Sequence, residues 1–162
     1  MKQIAQAVIF ILSAFISNSQ TFQEGELPDK FKDLENNLEV SHFPETVNAS
    51  LDSKEPGTYI WKHNTSILSL SKDLSITEGG AYIYYNNQWN KRVQMSAKEF
   101  SKLFNIPKGI LKAGQPYTFV ENWRRDSRLL AGWAFWYVLA EDKEGNVYFG
   151  MKYLETTETL NN

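Results

Sequence analysis

Residues 129–140 read LLAGWAFWYVLA, the densest apolar run beyond the N-terminus. Side chains of an extended chain point alternately to opposite faces. Trp133, Phe135, Tyr137 and Leu139 would share one face, and Ala134, Trp136, Val138 and Ala140 the other. Both sets are apolar, which predicts a central strand covered on both sides. At 12 residues the run is too short to cross a bilayer as a helix, which needs about 20.

Working outward, residues 142–146 (DKEGN) form a hairpin turn in which Gly145 is free to take positive φ. Residues 147–154 return as the last strand, and the polar residues 155–162 read as a flexible tail. On the other side, residues 117–123 read as a strand, 124–128 as a basic loop tip, and 106–116, with two Gly and two Pro, as a loop. Ser96-Ala97-Lys98-Glu99 is a capping box, with Met95 and Phe100 placed as a hydrophobic staple. It predicts a helix over residues 96–104, stopped by Pro107. Residues 81–85 and 88–95 flank Asn86-Asn87, a pair that suits a two-residue hairpin. In the second strand Trp89, Val93 and Met95 should face one way, and Asn90, Arg92 and Gln94 the other. Glu78-Gly79-Gly80 reads as a turn between short strands, with further strands at 58–63, 67–70 and 74–77.

Phe31, Leu34 and Leu38 recur at spacings of three and four behind Pro28 and Asp29, predicting a short amphipathic helix at about residues 28–39. Residues 40–56 show no period and read as a connection. The pattern E-x-G-x-Y-I-[WY]-x-x-N occurs at residues 55–64 and 78–87, but two copies are too few for a repeat array.

These elements define an α+β domain of mainly antiparallel sheet: a curved sheet or partly open small barrel with one capped helix packed on it. A two-sheet β-sandwich is the alternative. The expected organisation is a leader at 1–19, a polar N-terminal segment at 20–56, the β-rich domain at 57–154 and the tail.

The leader reading rests on Lys2, the apolar run at residues 4–16, and Ser17 and Ser19 at −3 and −1 of a cleavage site. It predicts export to a periplasm or to the outside, with no stable membrane span after cleavage. The chain holds 162 residues with 17 Lys and Arg, 19 Asp and Glu, and no Cys. Disulfides, cysteine-ligated metal and a thiol nucleophile are therefore excluded. A net charge of −2 gives no basic footprint for nucleic acid. Asn48-Ala49-Ser50 and Asn64-Thr65-Ser66 match the N-glycosylation pattern.

Residues 123–128 (WRRDSR) are the one cationic cluster. Arg124, Arg125 and Arg128 offer planar donor forks for an anion, and Trp123 offers a stacking face. Trp89, among Asn86, Asn87, Gln88 and Asn90, is a second candidate, since amides beside aromatic rings suit a sugar. Catalysis has little support. His42 and His63 lack metal-ligand spacing, and Ser69-Leu70-Ser71-Lys72 is a lone S-x-x-K without its companion motifs. Glu121, read as mid-strand, is the one acid worth testing. No cofactor or metal is implied.

The sequence thus favours an exported, non-catalytic module that binds an anionic ligand, a glycan or a protein partner through an aromatic and arginine rim. The alternatives are a small barrel carrying an apolar ligand behind Trp133, Phe135 and Tyr137, and a small hydrolase using Glu121.

Overall fold

The structure is a computed structural model that describes residues 26–161. The leader read at residues 1–19 lies outside them. In chain order the elements are β1 (Glu35–Asn36), β2 (Leu38–Phe43), β3 (Thr46–Leu51), β4 (Tyr59–Trp61), β5 (Asn64–Ser69), β6 (Leu74–Tyr85) and β7 (Gln88–Ser96). There follow α1 (Ala97–Leu103), β8 (Ile110–Leu111), β9 (Pro116–Phe119), β10 (Arg124–Asp126), β11 (Gly132–Glu141) and β12 (Val147–Leu160). A large curled sheet runs β10-β4-β3-β12-β11-β6-β7, with β1 added on β12 and β8 on β6. A small antiparallel sheet runs β2-β5-β9. One of the chain's crossings between the sheets falls at Lys62-His63, between β4 and β5. The predicted curved sheet with one packed helix is the fold.

Strand β11 is central, hydrogen-bonded to β12 on one side and β6 on the other. Its two faces serve two cores, as its alternation predicts. Phe135 and Tyr137 pack with Phe31, Tyr82 and Phe149 on one face. Val138 and Ala140 pack with Leu38, Ile67, Phe100 and Tyr148 on the other, beneath the small sheet and α1. A third cluster joins Val47, Ala49, Trp61 and Leu154. The capping box forms: Ser96 accepts from the Glu99 amide while Glu99 reaches back. Phe100 and Phe104 stack at 4.6 Å, both buried.

Several expectations are corrected. The helix predicted at 28–39 is a single 3₁₀ turn at Asp29–Phe31, ended where Asp33 takes φ 65°. Beyond it Leu38, Val40 and His42 alternate inward and pair with β5, which satisfies the backbone across strands where a lone short helix would gain little. The expected connection at 40–56 therefore contains most of β2 and all of β3. Gly79-Gly80 is no turn but the middle of β6. A Cβ on Gly79 would overlap the Phe100 ring, so the glycine is what lets α1 lie on the sheet. The tail is likewise strand: β12 runs to Leu160, and Thr156 is buried beside β3.

The Asn86-Asn87 hairpin forms with both residues at positive φ. A bulge then leaves Arg92 unpaired, since Tyr82 faces Lys91 and Ala81 faces Val93. The extra residue reverses the pleat. Trp89 consequently packs with Phe135, opposite to Val93 and Met95, which pack toward Phe100.

Candidate functional site

The expected basic loop tip is strand β10, at one edge of the large sheet, paired to β4 with Arg124 opposite Trp61 and Arg125 opposite Ile60. Charged residues on a short edge strand discourage further strand pairing. The pleat splits the two arginines. Arg124 turns inward, its guanidinium 4.6 Å from the Trp61 ring, and its Nη1 donates to Thr156 Oγ1 at 2.8 Å. Arg125 turns outward to Asp52 at 3.0 Å, with its guanidinium 5.5 Å from the Trp123 ring. Lys62 approaches the same ring at 5.1 Å.

Burial draws the Arg124 guanidinium below its ordinary pKa, Asp126 opposes this, and the charges of Arg92 and Arg128 add to it. Arg92 is the bulged residue of β7, the opposite edge of the sheet. Its charge is felt at Arg124 across the curl of the sheet. Arg128 lies 3.8 Å from Asp126 and its side chain is 74% exposed, against 34% for Arg124. Lys62 and Arg125 thus flank the Trp123 ring and Arg124 lies on Trp61, and among the described residues Asp52 pairs with Arg125 and Asp126 with Arg124 and Arg128.

The structure brings together Trp123, Arg124, Arg125 and Arg128 but not Trp89. Trp89 stacks on Tyr153 at 5.6 Å at the far hairpin, beside a pocket of about 380 Å³ lined by Glu26, Pro28, Tyr82, Asn87 and Gln88. Glu121 is not mid-strand. It follows β9 at φ 62°, exposed, with its amide donating to Asn64 Oδ1 at 2.9 Å. Ser69 Oγ donates to the Lys72 carbonyl, while the Lys72 ammonium reaches Asp142 and Tyr148. Both glycosylation-pattern asparagines sit in strands, Asn48 accepting from Thr157 and Asn64 from Glu121. The Phe135 and Tyr137 face, which the carrier reading needs as a cavity wall, is packed with Phe31, Tyr82 and Phe149 at 4.7–6.4 Å between ring centres. A groove of about 630 Å³ opens elsewhere, between α1 and the turn at Pro107–Gly109.

Sequence reasoning missed one cluster. His42 and His63 are each 4% exposed and face one another at 5.9 Å where the sheets meet. His42 Nδ1 lies 3.0 Å from Thr65 Oγ1, which accepts from Asn122, and Nε2 lies 3.1 Å from the Lys152 carbonyl. His63 Nδ1 reaches the Trp61 carbonyl at 3.4 Å, and its buried Nε2 has no partner. The inward alternation of Leu38, Val40 and His42 was the available signal for one ring, and the shared face of Trp61 and His63 for the other. No group of three or more potential metal ligands occurs among the described residues.

The arrangement defines a class by shape: a curled, mainly antiparallel sheet backed by a small three-stranded sheet and one capped helix. No family model and no curated protein matches the chain. It is similar to a solved protein, the X-ray structure of Northeast Structural Genomics Consortium target SoR45. The TM-score is 0.50 at 13% identity, over 80% of this chain and 94% of that one. A Bordetella pertussis protein, target BeR40 of the same programme, aligns with TM-score 0.47 at 11% identity, over 76% and 97% of the two chains. The first likeness is one of fold alone.

Proposed function

We infer that the protein is an exported, non-catalytic binding module that takes an acidic glycan at the rim around Trp123. The observation that carries this reading is the placement of Lys62 and Arg125 on the Trp123 ring and of Arg124 on Trp61, beside the exposed Arg128, in a chain whose net charge is −2. Guanidinium forks supply charge and directed donors to carboxylate or sulfate, and an indole supplies a flat apolar face for a sugar ring. Arg124, locked to Thr156 and Trp61, shapes the rim; Arg128 and Lys62 meet the ligand. The leader read in the sequence supports export.

The test is retention on immobilised heparin at about 0.05 M salt, where screening is weak. Lys62→Glu with Arg128→Glu should weaken binding about tenfold or more, roughly 1.4 kcal/mol. Lys98→Glu with Lys102→Glu, on exposed positions of α1, changes net charge equally and should leave retention intact. Equal loss in both double variants, or an unretained wild type, rejects the rim.

A further inference from the structure

A second site lies on the Phe135 and Tyr137 face of β11, around the side chain of Lys30. Its ammonium is 4.2 Å from the ring centre of Tyr137, 4.8 Å from that of Phe31 and 5.6 Å from that of Tyr82. It donates to Glu78 Oε1 at 2.6 Å and to the Tyr137 hydroxyl at 2.9 Å. Aromatic faces carry the negative lobe of the ring quadrupole, so three rings and a carboxylate form a receptor for a cation.

The receptor is braced independently of its occupant. Tyr137 donates to Glu78 at 2.5 Å, and Gln94 donates to the other Glu78 oxygen at 2.6 Å. Burial alone would raise the Glu78 carboxyl, but the bonds from Lys30, Tyr137 and Gln94 outweigh it and keep it below the usual range. The three rings hold one another at 4.8–5.8 Å, and Phe31 is further stacked on Phe149. The occupant is the solvent-accessible partner. Lys30 sits on a three-residue 3₁₀ turn with its side chain 33% exposed, so rotamer changes alone would swing the ammonium into water.

We propose that this cage is a receptor for the primary ammonium group of a small alkyl-amine ligand, and that Lys30 occupies it as a tethered stand-in which the ligand displaces. The hydrogen-bond acceptors set the selectivity. Glu78 and the Tyr137 oxygen require N–H donors, which a quaternary ammonium lacks. Left unmatched in a partly buried site, they would discriminate against such a cation. The tether competes at an effective concentration in the millimolar range, so removing it raises the apparent affinity.

The test titrates n-butylammonium chloride into the full chain while following the ring protons of Tyr82 and Tyr137 by NMR. In Lys30→Ala the shifts should saturate at a concentration about tenfold or more below that for the wild type. Tetramethylammonium chloride should give no saturable response, and adding Glu78→Gln should abolish the response to n-butylammonium. A folded Lys30→Ala protein with no saturable shift, or with equal responses to the two cations, overturns the proposal. If Lys30→Ala does not fold, Lys30→Met retains the stem packing and takes its place. The wild type provides a further reading: nuclear Overhauser contacts from the Lys30 methylenes to the Tyr137 ring should fade as n-butylammonium saturates. Their persistence overturns displacement.

Discussion

Two hydrogen bonds settle the state of His42. The Lys152 carbonyl can only accept, so the proton is on Nε2; Nδ1 then accepts from Thr65, whose oxygen accepts from Asn122. A second proton on Nδ1 would displace the Thr65 donor. On His63 the free Nε2 would become a buried cation without an acceptor. Burial lowers both rings from 6.5 to about 4; at His42 the Lys152 carbonyl and Glu45 oppose this while the Lys152 ammonium adds to it, and at His63 the charge of His42 adds to it while the Trp61 carbonyl opposes it. Because the unfolded chain takes up these protons first, the stability gained by keeping the rings neutral is complete above pH 6.5. It drains as pH falls toward 4. Each ring accounts for at most about 3 kcal/mol. The urea midpoint should fall clearly from pH 7.5 to pH 5, and His63→Phe should flatten that fall. A midpoint unchanged over this range in the wild type would contradict the account.

At the scale of elements, legibility followed the reach of the signal. The β11 alternation, the Asn86-Asn87 turn and the Ser96–Glu99 box each lie within a few residues, and each formed as read. Gly79-Gly80 was misread because its reason is Phe100, twenty-one positions on and unseen in the local pattern. Residues 38–43 were misread because their partner is β5. The same division holds for the candidate site: Trp123 to Arg128 are contiguous and visible as one cluster, whereas Lys62 reaches the Trp123 ring only because β4 pairs with β10. Gly79→Ala tests the first of these tertiary reasons. The added methyl must push the Phe100 ring off β6, and overpacking of this kind costs about 1–3 kcal/mol. Thermal unfolding should shift downward by several degrees. Gly79→Ala combined with Phe100→Leu should regain part of the loss, and a double variant no better than the sum of the singles would show that the two positions do not meet.

For the whole molecule, the decisive strand is β12. Val147 to Thr156 pair with β11; the end of the strand joins β3 to the rest of the sheet, in parallel, through Glu155 opposite Thr46, Thr156 opposite Val47 and Leu160 opposite Ala49. β4 and β10 hang on β3 in turn. Two side chains lock the same junction: Trp61 Nε1 donates to the Thr157 carbonyl at 2.8 Å, and Arg124 to Thr156. The cationic rim is thus held on the molecule by residues that sequence composition marks as a tail. A chain ending at Leu154 distinguishes the two views. If residues 155–162 were only a solvated tail, amide exchange elsewhere would be unchanged. If β12 is the junction, protection should be lost at Val47, Ala49 and Ile60, and Trp61 emission should move to the red as its ring meets water. Amides around Phe100 and Val138 should stay protected, because the small sheet, α1 and the β6–β7–β11 ladder do not pass through the deleted residues. Undiminished protection in β3 and β4 of the shortened chain would refute this assignment.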